Sequence, residues 1–86
     1  MTVHYSRRFK RQHKKLPQYI KTRAKDRIQV FLNDEFDPLL NNHALSGEYL
    51  NCRSIDITGD YRLMYERYED GTINLVAIGT HSELYG

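Results

Sequence analysis

The chain closes on Gly79-Thr80-His81-Ser82-Glu83-Leu84-Tyr85-Gly86, where an imidazole and a phenol stand four residues apart at the end of a strand-like run. Imidazole gains and loses a proton near neutral pH, and an aromatic ring beside it can stack a splayed nucleobase. A small hydrophobic core asks for neither. Cleavage of RNA by its own 2′-OH asks for both. That reaction needs a base for the 2′ proton, an acid for the departing 5′ oxygen, and a cation for the charge that builds on phosphorus. It requires no metal and no cofactor. Arg62 offers a planar, permanently charged phosphate clamp, carboxylates can serve as base or orient an imidazole, and Tyr61 and Tyr85 can hold bases.

Strands must bring these side chains together. From Cys52 onward Ile55 and Ile57 alternate with Ser54, Asp56 and Thr58, and Tyr61, Leu63 and Tyr65 alternate with Arg62, Met64 and Glu66. A period of two marks strands with one buried face. Asp70-Gly71 is a strong hairpin signal, and Ile73 to Thr80, apolar on both parities, reads as a central strand. A two-residue Asp70-Gly71 loop pairs residues whose numbers sum to 141: Tyr65 with Val76, Leu63 with Ile78, Glu66 with Leu75, Met64 with Ala77, Arg62 with Gly79 and Asp60 with His81. Keeping Ile55 and Ile57 on the apolar face requires a three-residue Thr58-Gly59-Asp60 loop and a sum of 118, which sets Asp56 opposite Arg62. A slip of one residue would bury the charges. Asp56, Asp60, Arg62 and His81 then share a face near one end of the sheet, where Gly79 leaves room for a ligand.

Upstream, Val3–Tyr5 reads as a short strand and Ser6 as the cap of a helix bearing Phe9, His13 and Leu16. Pro17 fits the first turn of a second helix, with an apolar stripe of Ile20, Ala24, Ile28, Phe31 and Leu32 that ends at Asn33-Asp34. Phe36 to Gly47 reads as a connector with Leu39, Leu40 and Leu45 packed inward. The expected class is α+β, with two to three N-terminal helices packed on a small antiparallel sheet in a single domain over residues 1–86.

Charge is divided unevenly. Residues 1–32 hold ten Lys and Arg against one acid, a net of +9, whereas residues 33–86 hold three against ten, a net of −7. A basic half of this strength suits a polyanion such as RNA, ribosomal RNA included, although charge runs also form plain solvated helix faces. No apolar run approaches the roughly 20 residues of a membrane span, and none near Met1 suggests a signal peptide. The lone Cys52 has no disulfide partner and reads as a core filler. A reducing, cytoplasmic location is expected.

His43-Ala44-Leu45-Ser46-Gly47, Arg53-Ser54-Ile55-Asp56-Ile57, Asp60-Tyr61-Arg62-Leu63-Met64-Tyr65 and Gly79-Thr80-His81-Ser82-Glu83-Leu84-Tyr85 together resemble the YafQ branch of the RelE/ParE toxin superfamily. The likeness is close over the C-terminal half and architectural over the helical half. It implies an mRNA-cleaving toxin of a type II toxin–antitoxin pair, active on ribosome-bound message and held by a cognate antitoxin. It also implies that His43, Asp60 and His81 belong to the catalytic set, that Tyr61 and Tyr85 occupy aromatic positions, and that Arg53 and Arg62 match basic ones. Asp56 falls where the YafQ pattern has histidine, so it is either the base or an orienter. Blander readings stand beside these: a surface hydrogen-bonded pair for His81, a structural imidazole at His43, a turn residue at Asp60, and packing roles for Tyr61 and Tyr85. The competing function is a same-fold toxin that inhibits gyrase by binding.

Overall fold

The computed structural model describes residues 2–85. β1 (Val3–Tyr5) passes into α1 (Arg7–Lys14) at Ser6. The Ser6 hydroxyl accepts from the Phe9 N–H at 3.0 Å and donates to the Val76 carbonyl at 2.8 Å. One side chain thus caps the helix and fastens it to the sheet. α2 (Gln18–Asn33) follows Pro17, which stands as the N-cap rather than inside the first turn. Phe9, Ile20, Ala24 and Phe31 are buried, and Phe31 meets the Tyr65 ring edge-on at 4.7 Å. Leu32, expected in the stripe, is 38% exposed. Successive helix residues lie about 100° apart, so an inward Phe31 turns Leu32 to the margin, and Val30 packs against the core instead.

The remaining strands are β2 (His43–Ala44), β3 (Cys52–Asp56), β4 (Tyr61–Arg67) and β5 (Ile73–Thr80), in the spatial order β1-β5-β4-β3-β2. β1 runs parallel to β5 and the other neighbours are antiparallel, so the sheet is mixed rather than wholly antiparallel. The third helix is C-terminal: α3 (His81–Tyr85). In the connector, Leu40 is buried and Leu45 packs on the second face, but Leu39 is 53% exposed.

The β3–β4 register is the one the alternation requires: Ile55 faces Leu63 and Asp56 faces Arg62. The β4–β5 hairpin reaches its register differently. Its loop is Glu69-Asp70-Gly71, closed by the Tyr68 N–H to the Thr72 carbonyl at 2.9 Å, with Gly71 at φ +88°. A left-handed third loop residue favours glycine. Near the turn Tyr65 therefore faces Leu75 and Glu66 faces Asn74, correcting the expected Val76 and Leu75. Between Met64 and Tyr65 the ladder shifts by one, with Val76 as the extra residue. Beyond that bulge the expected pairs return: Met64–Ala77, Leu63–Ile78 and Arg62–Gly79. The longer loop and the bulge cancel.

The helix-facing side of the sheet holds Ile55, Ile57, Leu63, Tyr65, Ile73, Leu75 and Ile78, all buried. The other side carries a smaller cluster of Met64, Ala77 and Leu84, flanked by Leu45, Tyr49 and Val76. Cys52 is buried. Among the described residues no helix is long and apolar enough to cross a membrane.

Candidate active site

Directly paired residues in a sheet share a face. Two rows cross the sheet on the side away from α1 and α2. One is His43, Ser54, Met64, Ala77, and the other is Asp56, Arg62, Gly79. At the end of the second row the His81 N–H bonds the Asp60 carbonyl at 3.0 Å, so the expected neighbours do meet. Their contact is through the backbone. Among the described residues no side-chain hydrogen bond or ion pair joins them.

Asp56 and Arg62 form the electrostatic centre. Arg62 Nε lies 3.0 Å from Asp56 Oδ1, and the two side chains are 19% and 27% exposed. The pair is charged but not collinear: Oδ1 has no aligned hydrogen bond, while Oδ2 accepts from Asn41 Nδ2 at 3.4 Å. Arg62 also donates to the Thr58 carbonyl at 2.9 Å. The guanidinium is thereby fixed against the Thr58-Gly59-Asp60 loop rather than swinging in solvent.

His43 is exposed at the sheet edge, with Nδ1 2.9 Å from the Asn41 carbonyl. A carbonyl only accepts, so Nδ1 carries the hydrogen, and whenever the ring is neutral its lone pair lies on Nε2. That is the form a general base requires.

His81 opens α3. Thr80 Oγ1 accepts from the Glu83 N–H at 3.1 Å, and Glu83 Oε1 accepts from the Thr80 N–H at 2.8 Å. This reciprocal pair is a capping box, and the hydrogen bonds from Thr80 hold the Glu83 carboxyl below its ordinary range. The Thr-x-x-Glu signal stood in the sequence and was missed. A five-residue helix is far shorter than the roughly 12 residues that stand alone. Leu84 anchors it: its side chain is buried, and the Tyr49 hydroxyl donates to its carbonyl at 2.9 Å. The space at Gly79 goes to this helix rather than to a ligand, since a Cβ there would stand 3.1 Å from Glu83 Oε1.

The His81 and Tyr85 rings lie 4.6 Å apart, and Tyr85 meets Tyr49 edge-on at 5.9 Å. Arg8 of α1 continues the line, donating to the Tyr49 hydroxyl at 3.0 Å. Tyr49 and Arg8 carried no sequence signal, because only the fold brings Gly47–Tyr49 and α1 to this face. Two expected residues fall elsewhere. Arg53 pairs with Tyr65 on the helix-facing side and donates to Asn42 Oδ1 at 2.7 Å. Tyr61 packs half-buried against the core, where burial first, and then Tyr19, Glu83 and Asp60, push its phenol up. Tyr61 also lines a groove of about 310 Å³ with Arg11, Lys15, Gly79 and Glu83. Among the described residues no three His, Cys, Asp or Glu side chains converge as a metal site.

The bacterial family "toxin of type II toxin–antitoxin system, YafQ" matches the chain over residues 1–86. The chain belongs to the YafQ family of type II toxins. Solved structures agree on the fold. YafQ from E. coli strain BL21(DE3) superposes with a TM-score of 0.84 at 19% identity, covering 98% of this chain and 97% of that one. YafQ in the E. coli DinJ–YafQ toxin–antitoxin complex gives 0.80 at 20% identity, covering 98% and 96%. A YoeB/ParE toxin from Agrobacterium tumefaciens gives 0.77 at 16% identity, covering 94% and 99%. No curated protein matches the sequence. The YafQ-family fold thus carries a face on which one imidazole is held through Nδ1 by a backbone carbonyl and another heads a capped helix, with an Asp–Arg pair between them in the strand order.

Proposed function

We propose that this toxin is an endoribonuclease that cuts mRNA on the ribosome without a metal ion. The observation that carries the reading is the shared face of His43, Asp56–Arg62 and His81. His43 Nε2 takes the 2′-OH proton, the 2′ oxygen bonds to phosphorus, and the bond from phosphorus to the 5′ oxygen breaks. His81 protonates that oxygen, leaving a 2′,3′-cyclic phosphate and a 5′-OH. Arg62 stabilises the phosphorane, Asp56 holds Arg62 in place, and Asp60 lies beside His81 as a carboxylate able to orient it. Tyr85 stacks a base with Tyr49 behind it, whereas Tyr61 and Arg53, turned toward the helix side of the sheet, take no part at this face. The family pattern supports the His43, Asp60 and His81 assignments, and Asp56, standing where that pattern has histidine, acts through Arg62.

In the same reading the toxin works in the cytoplasm and is silenced by a cognate antitoxin, as the DinJ–YafQ assembly suggests for a relative of this fold. The test is mapping of mRNA 5′ ends after brief induction, with wild type and His81→Ala. Cuts at a fixed codon position that vanish in a folded His81→Ala variant are expected. Undiminished toxicity of His81→Ala, with intact mRNA and falling gyrase activity, would instead establish the binding inhibitor.

A further inference from the structure

A polar network lies where an apolar contact would serve the core equally well. Tyr65 is fully buried at 0% exposure, yet its hydroxyl donates to Glu35 Oε2 at 2.6 Å and accepts from Asn42 Nδ2 at 2.7 Å. Asn42 Nδ2 also donates to the Glu35 carbonyl at 3.0 Å, and Asn42 Oδ1 accepts from Arg53 Nε at 2.7 Å. Arg67 pairs with Glu35 Oε1, and the Arg53 guanidinium sits 5.2 Å from the Phe36 ring centre. Burial, and then the Glu35 hydrogen bond, push the Tyr65 phenol up to about 12, so it stays a neutral donor near pH 7. Every member is satisfied, which is the condition for a buried network to rigidify its surroundings.

What it rigidifies is the connector between α2 and β2. Asn42 stands between the residue whose carbonyl fixes the His43 ring and His43 itself. The Asn41 carbonyl belongs to the peptide unit that ends at the Asn42 nitrogen, so clamping the Asn42 side chain orients that carbonyl. Asn41 is held left-handed at φ 47°, a conformation that asparagine tolerates better than most residues. Side chains alternate along a strand, so Asn42, anchored on the helix side, leaves His43 on the opposite face. Asn41 also reaches Asp56.

We propose that Asn42, clamped by Tyr65, Glu35 and Arg53, is a positioning residue that aims His43 Nε2 across the catalytic face. What His43 does there rests on the nuclease reading; where it is held does not. The experiment is side-chain 15N NMR of the histidines in the full chain and in Asn42→Ala, Tyr65→Phe and Arg53→Met, with cleavage of an RNA substrate alongside. Wild type is expected to show His43 with hydrogen on Nδ1. Each variant that stays folded by circular dichroism is expected to spread the His43 signal over both tautomers, leave His81 unmoved, and lose cleavage on the order of 10- to 100-fold, as small misplacements of a reacting group do. Arg53→Met removes the bond to Asn42 Oδ1 and the contact with Phe36 while leaving Tyr65 and Asn42 in place, and its His43 signal decides the matter if the buried changes unfold the chain. An unchanged His43 signature in the folded variants overturns the proposal. If wild type cuts no RNA but the signature moves as stated, the nuclease reading fails and the clamp stands.

Discussion

At the scale of single residues, Asp56 poses the sharpest question, because a carboxylate replaces the expected imidazole of the family pattern. Its geometry fits an orienter: Oδ1 faces Arg62 Nε at 3.0 Å and Oδ2 faces Asn41. Removing a catalytic donor to developing charge costs about 10²–10³ in rate, so Arg62→Ala is expected to slow cleavage by about 100-fold. If Asp56 acts only through Arg62, Asp56→Asn is milder, and the double variant is no slower than Arg62→Ala. Rates that multiply would make Asp56 an independent base. Ser54 poses a smaller question. Its hydroxyl is buried without a hydrogen-bond partner in the row between His43 and Met64. A buried unpaired polar group costs about 1–3 kcal/mol, so Ser54→Ala is expected to raise the denaturation midpoint, and a drop would mean that the hydroxyl is paired in solution.

At the scale of elements, α3 lives on its capping box. Losing such a cap costs about 1 kcal/mol, a large share for five residues. Thr80→Ala and Glu83→Ala are each expected to fray α3, broadening the His81 and Tyr85 signals while β4 and β5 stay protected in hydrogen exchange. Gly79→Ala should act similarly by crowding Glu83. The strands show how much was legible beforehand. Alternation gave the β3–β4 register outright, because a slip would bury Asp56 and Arg62. The β4–β5 register was right at the His81 end and wrong at the turn, because the three-residue Glu69-Asp70-Gly71 loop and the Val76 bulge offset one another. A bulge in an apolar strand leaves no period to read: Leu75 and Val76 are equally suited to either face. Parallel pairing of β1, and the return of Arg8 and Tyr49 to the candidate face, were illegible for a different reason. They depend on contacts between distant segments that leave no local pattern. Family likeness pointed to His43, Asp60 and His81 as candidates, and nothing pointed to Asn42, since its partners lie on three other stretches of chain.

At the scale of the molecule, one buried phenol and one exposed band of charge set its response to conditions. Tyr65 ionises at about 12 in the fold against 10.0 in the unfolded chain. Between those values the unfolded state has lost a proton that the fold keeps, so stability falls as pH rises. The contribution is complete below pH 10 and gone above about 12, and is worth on the order of 2–3 kcal/mol. Tyr65→Phe should flatten this alkaline limb when denaturation midpoints at pH 8 and pH 11 are compared. The larger asymmetry is the basic half of +9, whose Lys10, Lys14 and Lys15 are exposed on or just after α1. If that surface receives RNA phosphates, binding of a single-stranded oligonucleotide weakens with salt by a log–log slope of about 0.7 per phosphate neutralised. Changing all three lysines to glutamine is then expected to lower the slope by roughly 2 and to weaken binding across sequences alike. The cut position should be unchanged, because phosphate contacts carry no sequence information directly. A slope that does not move would shift the phosphate contacts to Arg53, Arg62 and Arg67, and would make the basic helices the surface left for the antitoxin.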